Sequence, residues 1–376
     1  MNKQTKMIVI VMALLMVAIA AIACAGGGGG SGDAGTPDEP FIGFVPITLK
    51  HDVHGNTGVW AEKYARETYG AKYEIIDPDQ DLNRSIAAAE TFIARGVDGI
   101  VFHPVTEDGV REIIAEVRAN DINIMTYCVA AHCEQVPALL IDEATYAHEM
   151  GADMVKKWIE LYPDIPVKLG FISWTDIAFC FDNRTGPFLT GAKTVVDYLP
   201  TDGVPRFRDT AGNELYGATY WEHAGGVLEV AMQVTGDAIT RHPDVNIVYG
   251  DNVSNGLGAL AAYEAAGRGL AVDGIPLTEL IASTDASAGE LRKLADPSSS
   301  LLYTLGMQPM TLAFAHVDMI MELINGTLDN DVYIERFAPG IHFNFYKDSL
   351  ETLQDWFNLQ YNPSPPLDLA AEIARS

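Results

Sequence analysis

The chain has 376 residues, with 51 acidic side chains against 24 basic ones and a formal net charge of −27. Such an imbalance repels polyphosphate and argues against nucleic acid as a partner, while saying nothing about fold. The length exceeds what one compact core of typical size holds, so two domains are the default expectation.

At the start of the chain, Lys3 and Lys6 precede an apolar run over 7–22 and small residues leading to Cys24. This is the layout of a cleaved export signal covering residues 1–23. The stretch Ala21-Ile22-Ala23-Cys24 resembles a bacterial lipobox, although Leu is more usual where Ala21 stands. Cys24 is therefore expected to receive lipid and become the mature N-terminus. A membrane-spanning helix is the alternative, but the apolar run is short for that and the glycine tract at 26–30 cannot hold helix. Residues 24–40 read as a Gly-rich tether. Without Lys3 and Lys6, 22 basic residues face 51 acidic ones, a net charge of −29. Cys128, Cys133 and Cys180 remain, an odd number in an oxidising compartment. Spacing favours a Cys128–Cys133 bridge, which leaves Cys180 free and buried.

From residue 41 onward, short apolar runs alternate with amphipathic stretches of helical length, the pattern of parallel sheets with crossover helices. In chain order the expected elements are strand 41–46, helix 58–68, strand 73–76, helix 82–95, strand 99–103, helix 107–120, strands 122–126 and 139–141, and helix 144–158. A second series follows, with strands 168–173, 247–250, 280–283 and 301–305. Its helices are expected at 186–198, 225–242, 254–267, 288–295 and 310–324. A returning strand at 341–346 and a Pro-rich stretch at 363–366 finish a domain already begun. The fold class is α/β in two similar halves, and ligand sites in such sheets form beyond the carboxyl ends of strands.

Four blocks then carry a resemblance. The stretch SIAAAETFIARGVDGIVFHPVTEDGVREIIAEVRANDINIMT, residues 85–126, resembles the type I periplasmic binding proteins that deliver sugars to ABC transporters. RHPDVNIVYGDNVSNGLGALAAYEAAG (241–267), LIASTDAS (280–287) and TLGMQP (304–309) are similar to later segments of the same family, in the same order. The resemblance implies two Rossmann-like lobes joined by three crossovers, closing on a small ligand in the cleft between them. The crossings would fall near Asp142–Glu143, Gln308–Pro309 and Pro339–Gly340. The N-terminal lobe would then comprise 41–142 plus 309–338, and the C-terminal lobe 143–308 plus 339–376. It further implies a monomeric, lipid-anchored, extracytoplasmic protein that captures a small polar ligand, a sugar first of all, for an ABC permease. A sensor kinase or chemoreceptor is the alternative partner, and a small molecule other than a sugar the alternative ligand.

Family contacts carry over where the local pattern matches. Arg184, in FDNRTGPF, could donate paired bonds to hydroxyls or a carboxylate, or be a helix-start surface Arg. Asn252 and Asp285 follow strands, where each could bind hydroxyls or cap the next helix, with Ser254 and Ser287 as rival caps. Gln308 stands before a Pro-initiated helix and could contact ligand or pack the hinge. Trp174 and Trp221 are the candidates for stacking on a sugar face, against the commoner fate of a core Trp. Departures from the family matter as well. Its Asp-Arg after the fourth strand is Tyr127-Cys128 here, its Asn-Pro after the third strand is His103-Pro104, and its loop after the first strand is Lys50-His51-Asp52-Val53-His54. His51, Asp52 and His103 therefore join the expected ligand set, and ribose or galactose as the ligand comes into doubt. Histidines also suit metals, but no four-ligand spacing is present, so neither metal nor cofactor is expected. No nucleophile elbow, phosphate loop or His-Glu-x-x-His occurs, and an enzyme is the weaker class.

Overall fold

Five short runs near the start of the folded body lie side by side as β1 (Phe41–Val45), β2 (Lys72–Ile75), β3 (Gly99–Phe102), β4 (Asn123–Tyr127) and β5 (Ala138–Asp142). The structure, a computed structural model, describes residues 39–105, 107–131, 136–175, 178–197, 218–361 and 367–374. The export signal, Cys24 and most of the tether, the pair His132 and Cys133, and the whole Pro-rich stretch lie outside those residues. Between the strands run α1 (Asp52–Tyr64, continued by a π-helical turn to Tyr69), α2 (Leu82–Ala94) and α3 (Glu107–Ala119). Asp81 starts α2 by accepting the Arg84 N–H at 2.9 Å, and Gly70 ends the turn after α1 in the left-handed region at φ 62°.

Beyond β5, α4 (Glu143–Leu161) leads into a second sheet containing β6 (Leu169–Ser173), β7 (Ala218–His223) and β8 (Ile247–Gly250), with α5 (Gly186–Lys193), α6 (Leu228–Arg241) and α7 (Val253–Ala265). A small hairpin of β9 (Ala271–Val272) and β10 (Ile275–Pro276) precedes β11 (Leu280–Asp285), α8 (Ala288–Ala295) and β12 (Leu301–Gly306). The long apolar α9 (Pro309–Ile324) returns to pack on α1, β3 and β4. β13 (Glu335–Pro339) then joins the first sheet and β14 (Ile341–Asn344) the second, followed by α10 (Leu350–Gln360) and α11 (Leu369–Ile373). The first sheet is ordered β13-β5-β4-β3-β1-β2 and is parallel throughout. The second runs β14-β12-β11-β8-β6-β7, parallel except where β14 opposes β12.

The fold is thus two Rossmann-like lobes with three passages of chain between them: after Asp142, between Gly306 and Pro309, and between Pro339 and Ile341. Strand order reverses between β1 and β3 in one sheet and between β6 and β8 in the other. Loops leaving these strands diverge to opposite faces and open a crevice at their carboxyl ends. Helix α7 is drawn tightly over its sheet, since a Cβ on Gly256 would lie 2.1 Å from Ser283 Oγ.

Four strands escape the pattern read from sequence: the two-residue β9 and β10, and the longer β7 and β13. β7 and β13 are both sheet edges, and ERFAP in particular carries charges and a proline that an edge tolerates. Tyr220 and Trp221 therefore lie on a strand, not in a loop beside a helix. Helix α1 begins at Asp52 and not at residue 58, which brings His54 onto its first turn. Cys128 is a correction of another kind. It is a buried, free thiol at the end of β4, with φ 63°, where the sequence favoured a bridge; its expected partner Cys133 lies outside the described residues. Cys180 is free and buried.

Candidate functional site

His51 and Asp285 meet across the two lobes. His51 stands at the N-cap position of α1 without a side-chain capping bond, Asp285 ends β11, and His51 Nε2 lies 3.2 Å from Asp285 Oδ2. The same carboxylate oxygen accepts the Val253 N–H at 3.0 Å, while Oδ1 is buried without a hydrogen-bond partner. Asp285 is held at φ 109° and Ala286 at φ 53°, backbone states a non-glycine residue avoids. That turn aims the carboxylate at the crevice, leaving the Ser287–Glu290 capping box to start α8. Asp285 is therefore not the helix cap, a role that Ser287 takes. Burial opposes its charge, but His51 and Arg184 hold its pKa below the usual value.

Arg184, in a π-helical turn ahead of α5, is buried at the centre of the second lobe's half. Its Nε and Nη2 donate to Glu143 at 2.5 and 3.0 Å, its Nη1 donates to the Asp251 carbonyl at 2.6 Å, and Nη2 lies 3.9 Å from Asp285 Oδ1. The surface reading of Arg184 is thereby replaced by a buried one. Burial opposes its charge, yet Glu143 holds the guanidinium firmly protonated. Glu143 is the first residue after the first passage between sheets, where an acid reads from sequence only as a partner of the helix dipole.

Asn252 caps α7 by accepting the Asn255 N–H at 2.9 Å, and its Nδ2 faces Asp251 Oδ1 at 3.3 Å. The capping role therefore holds for this residue, beside the site. Asp251, unmarked by the sequence, is fully buried, accepting from the Trp174 N–H at 2.8 Å and Asn255 Nδ2 at 2.7 Å; burial raises its pKa. Trp174 is half-buried against Gly226, where a Cβ would lie 3.0 Å from the indole and φ is +69°. Only glycine fits there on both counts.

On the first lobe, His51, His54 and His103 form a row with successive ring centroids 5.2 and 5.2 Å apart. His103 Nδ1 lies 2.9 Å from the Pro104 carbonyl, which can only accept, so Nδ1 carries the hydrogen and Nε2 is a bare acceptor. Burial pushes His103 down to about 4 and, with His51, His103 and Arg184 nearby, holds His54 well below its ordinary value. Tyr127, where the family's acid would stand, is buried with its hydroxyl 3.4 Å from His54 Nδ1. Asp52 is exposed on the first turn of α1 next to His51.

Two expected residues stand elsewhere. Trp221 is buried in the second lobe's core, with its ring 4.8 Å from Phe171 and 5.4 Å from Phe181. Gln308 donates its Nε2 to the Pro339 carbonyl at 2.8 Å, and the Gly340 carbonyl lies at 3.4 Å, so it ties the second passage to the third. This is the hinge-packing role.

Comparison with known proteins agrees with this architecture. Residues 42–328 match the family described as periplasmic binding protein domain. The ribose import binding protein of Bacillus subtilis (strain 168) is 22% identical over 248 residues, which cover 64% of this chain and 71% of that protein. Among solved structures, a galactofuranose binding protein is 15% identical with a TM-score of 0.66, covering 86% of this chain and 99% of the other. A protein from Mycobacterium smegmatis in complex with beta-D-fucofuranose is 17% identical with a TM-score of 0.63, covering 89% and 98%. The two lobes, their three passages and the family match agree: the chain belongs to the periplasmic binding proteins, type I.

Proposed function

We propose that this chain is the extracytoplasmic solute-binding component of an ABC transporter, capturing a small neutral carbohydrate in its cleft and presenting it to a permease. The observation that carries this reading is the facing of His51, before α1, and Asp285, at the end of β11, across the lobes, with Arg184 beside Asp285. A ligand touching both halves stabilises the closed form by its greater affinity for that state. Names of the compared proteins support a sugar, since they specify ribose, galactofuranose and fucofuranose. Glu143 already neutralises Arg184, which favours an uncharged ligand over a carboxylate.

In this reading the moving bodies are 41–142 with 309–338, and 143–308 with 339–376, and Gln308 steadies the hinge. Cys24 carries the lipid that holds a monomer at the outer face of the membrane, and no chemistry is done on the ligand. A thermal-shift screen of sugars, polyols, nucleosides and amino acids tests it, because a ligand that binds only the native state raises its stability. Stabilisation by one or more sugars is expected, and stabilisation confined to amino acids or nucleosides would refute it.

A further inference from the structure

We propose that a proton is a co-ligand of this cleft, bound at His51 where the two lobes meet, so that closure takes up a proton and acid favours the closed form. This rests on the reading of the cleft as one that closes, but not on the identity of the ligand.

The contact joins groups on different sheets, which a closing cleft would bring together. His51 immediately precedes α1 of the first lobe and Asp285 ends β11 of the second, and their side chains touch at 3.2 Å. The carboxylate can only accept, so Nε2 of His51 donates. Nδ1 of His51 is buried without a hydrogen-bond partner. Whether Nδ1 also carries a proton is decided by the charges around the ring. From α1, Asp52 attracts a positive charge, and from the second lobe Asp285 attracts it while Arg184 repels it. Arg184 is itself offset by Glu143 through two bonds. His54, on α1, is the ring next to His51, and His103, after β3, the ring next to that; both are kept neutral by burial. Tyr127 on β4 stays protonated because burial raises its phenol, and the Tyr361 hydroxyl donates to the Asp285 carbonyl. Burial alone would lower His51, but Asp285, through charge and hydrogen bond, carries it above the ordinary histidine value.

Opening the cleft removes Asp285 and returns His51 to an ordinary exposed imidazole, so the closed form holds the proton more tightly. Closed-state stabilisation is therefore complete below the ordinary histidine value of about 6.5 and is lost as pH rises through the higher closed-state value. By linkage, each tenfold gain in proton affinity on closure multiplies the closed-to-open ratio by about ten across that range.

The test needs no sugar, so its failure is distinguishable from failure of the carbohydrate reading. Histidine carbon–proton NMR on the full chain follows the His51 titration in the wild type and in Asp285→Asn, with the His51→Gln spectrum identifying the signal. Small-angle scattering compares the radius of gyration at about pH 5.5 and about pH 8.5, either side of the ordinary value. His51→Gln keeps a hydrogen-bond donor at a partly exposed helix start and removes the titration. The expected result is a raised His51 titration that Asp285→Asn lowers, together with a smaller radius in acid that His51→Gln no longer shows. An ordinary His51 titration in the wild type, no response to Asp285→Asn, a wild-type radius indifferent to pH, or an unaltered pH response in His51→Gln would each overturn the proposal.

Discussion

Glu143 and Arg184 are bonded through both carboxylate oxygens, at 2.5 and 3.0 Å, inside the second lobe's half of the cleft. Glu143 is also the first residue after the chain leaves the first sheet. The pair therefore ties a buried cation to the first residue of α4, and both side chains are almost fully shielded from solvent. Removing one member of such a pair strands a buried charge, whereas removing both strands nothing. Arg184→Ala is expected to lower stability by about 3–5 kcal/mol, and Arg184→Met with Glu143→Leu by much less. Urea unfolding monitored by circular dichroism checks this, and equal losses in single and double variants would contradict it.

The two tryptophans expected to hold ligand should now separate. Trp221→Ala empties space between Phe171 and Phe181 and should cost about 3–5 kcal/mol of stability, with ligand affinity little changed in the fraction that folds. Trp174→Ala should do the reverse, weakening binding more than folding, because its ring is only half-buried. Paired unfolding and binding measurements decide it.

His103 gives a pH prediction of opposite sign to that for His51. Its value falls to about 4 in the folded protein because burial disfavours the charged ring. The neutral ring therefore contributes stability above about 6.5, lost progressively as pH falls toward about 4. Between about pH 7 and pH 5 this one group should remove about 2 kcal/mol. Urea unfolding at both values should show His103→Gln with a pH dependence smaller by about that amount; an unchanged dependence would show that His103 is not held neutral.

Cys24→Ser should release the protein from membranes without altering its folded body. The expectation assumes multi-chain lipidation, because one acyl chain binds only marginally. Fractionation after a salt wash measures it, and continued retention of the variant would reject the lipid anchor.

Much of this architecture is written locally. Interior strands such as β3 and β8 are continuous apolar runs bounded by glycine and polar residues, and their helices follow at regular spacing. The edge strands β7 and β13 lack that signature because an edge need not be apolar on both faces. Asp285, His51 and Arg184 were picked out through the family-like blocks and their departures, and the structure brings these three side chains near one another. Asp251 and Glu143 were not, since each meets Arg184 across a stretch of chain, 67 and 41 residues long respectively, through contacts that spacing does not encode. Asn252 and Gln308 look alike in sequence whether they cap, brace a hinge or bind ligand, and only the geometry separates those roles.

Calorimetric titration of wild type, Asp285→Asn and Asp98→Ala with a panel of monosaccharides tests the central claim most directly. Asp98 accepts the Phe41 N–H at the start of β1, at the opposite end of that strand from His51, and serves as the control. The account predicts one-to-one binding of at least one sugar by the wild type, the same affinity in Asp98→Ala, and a loss of about ten- to a hundredfold in Asp285→Asn. Binding that Asp285→Asn leaves intact, or no heat of binding from any sugar, would contradict it.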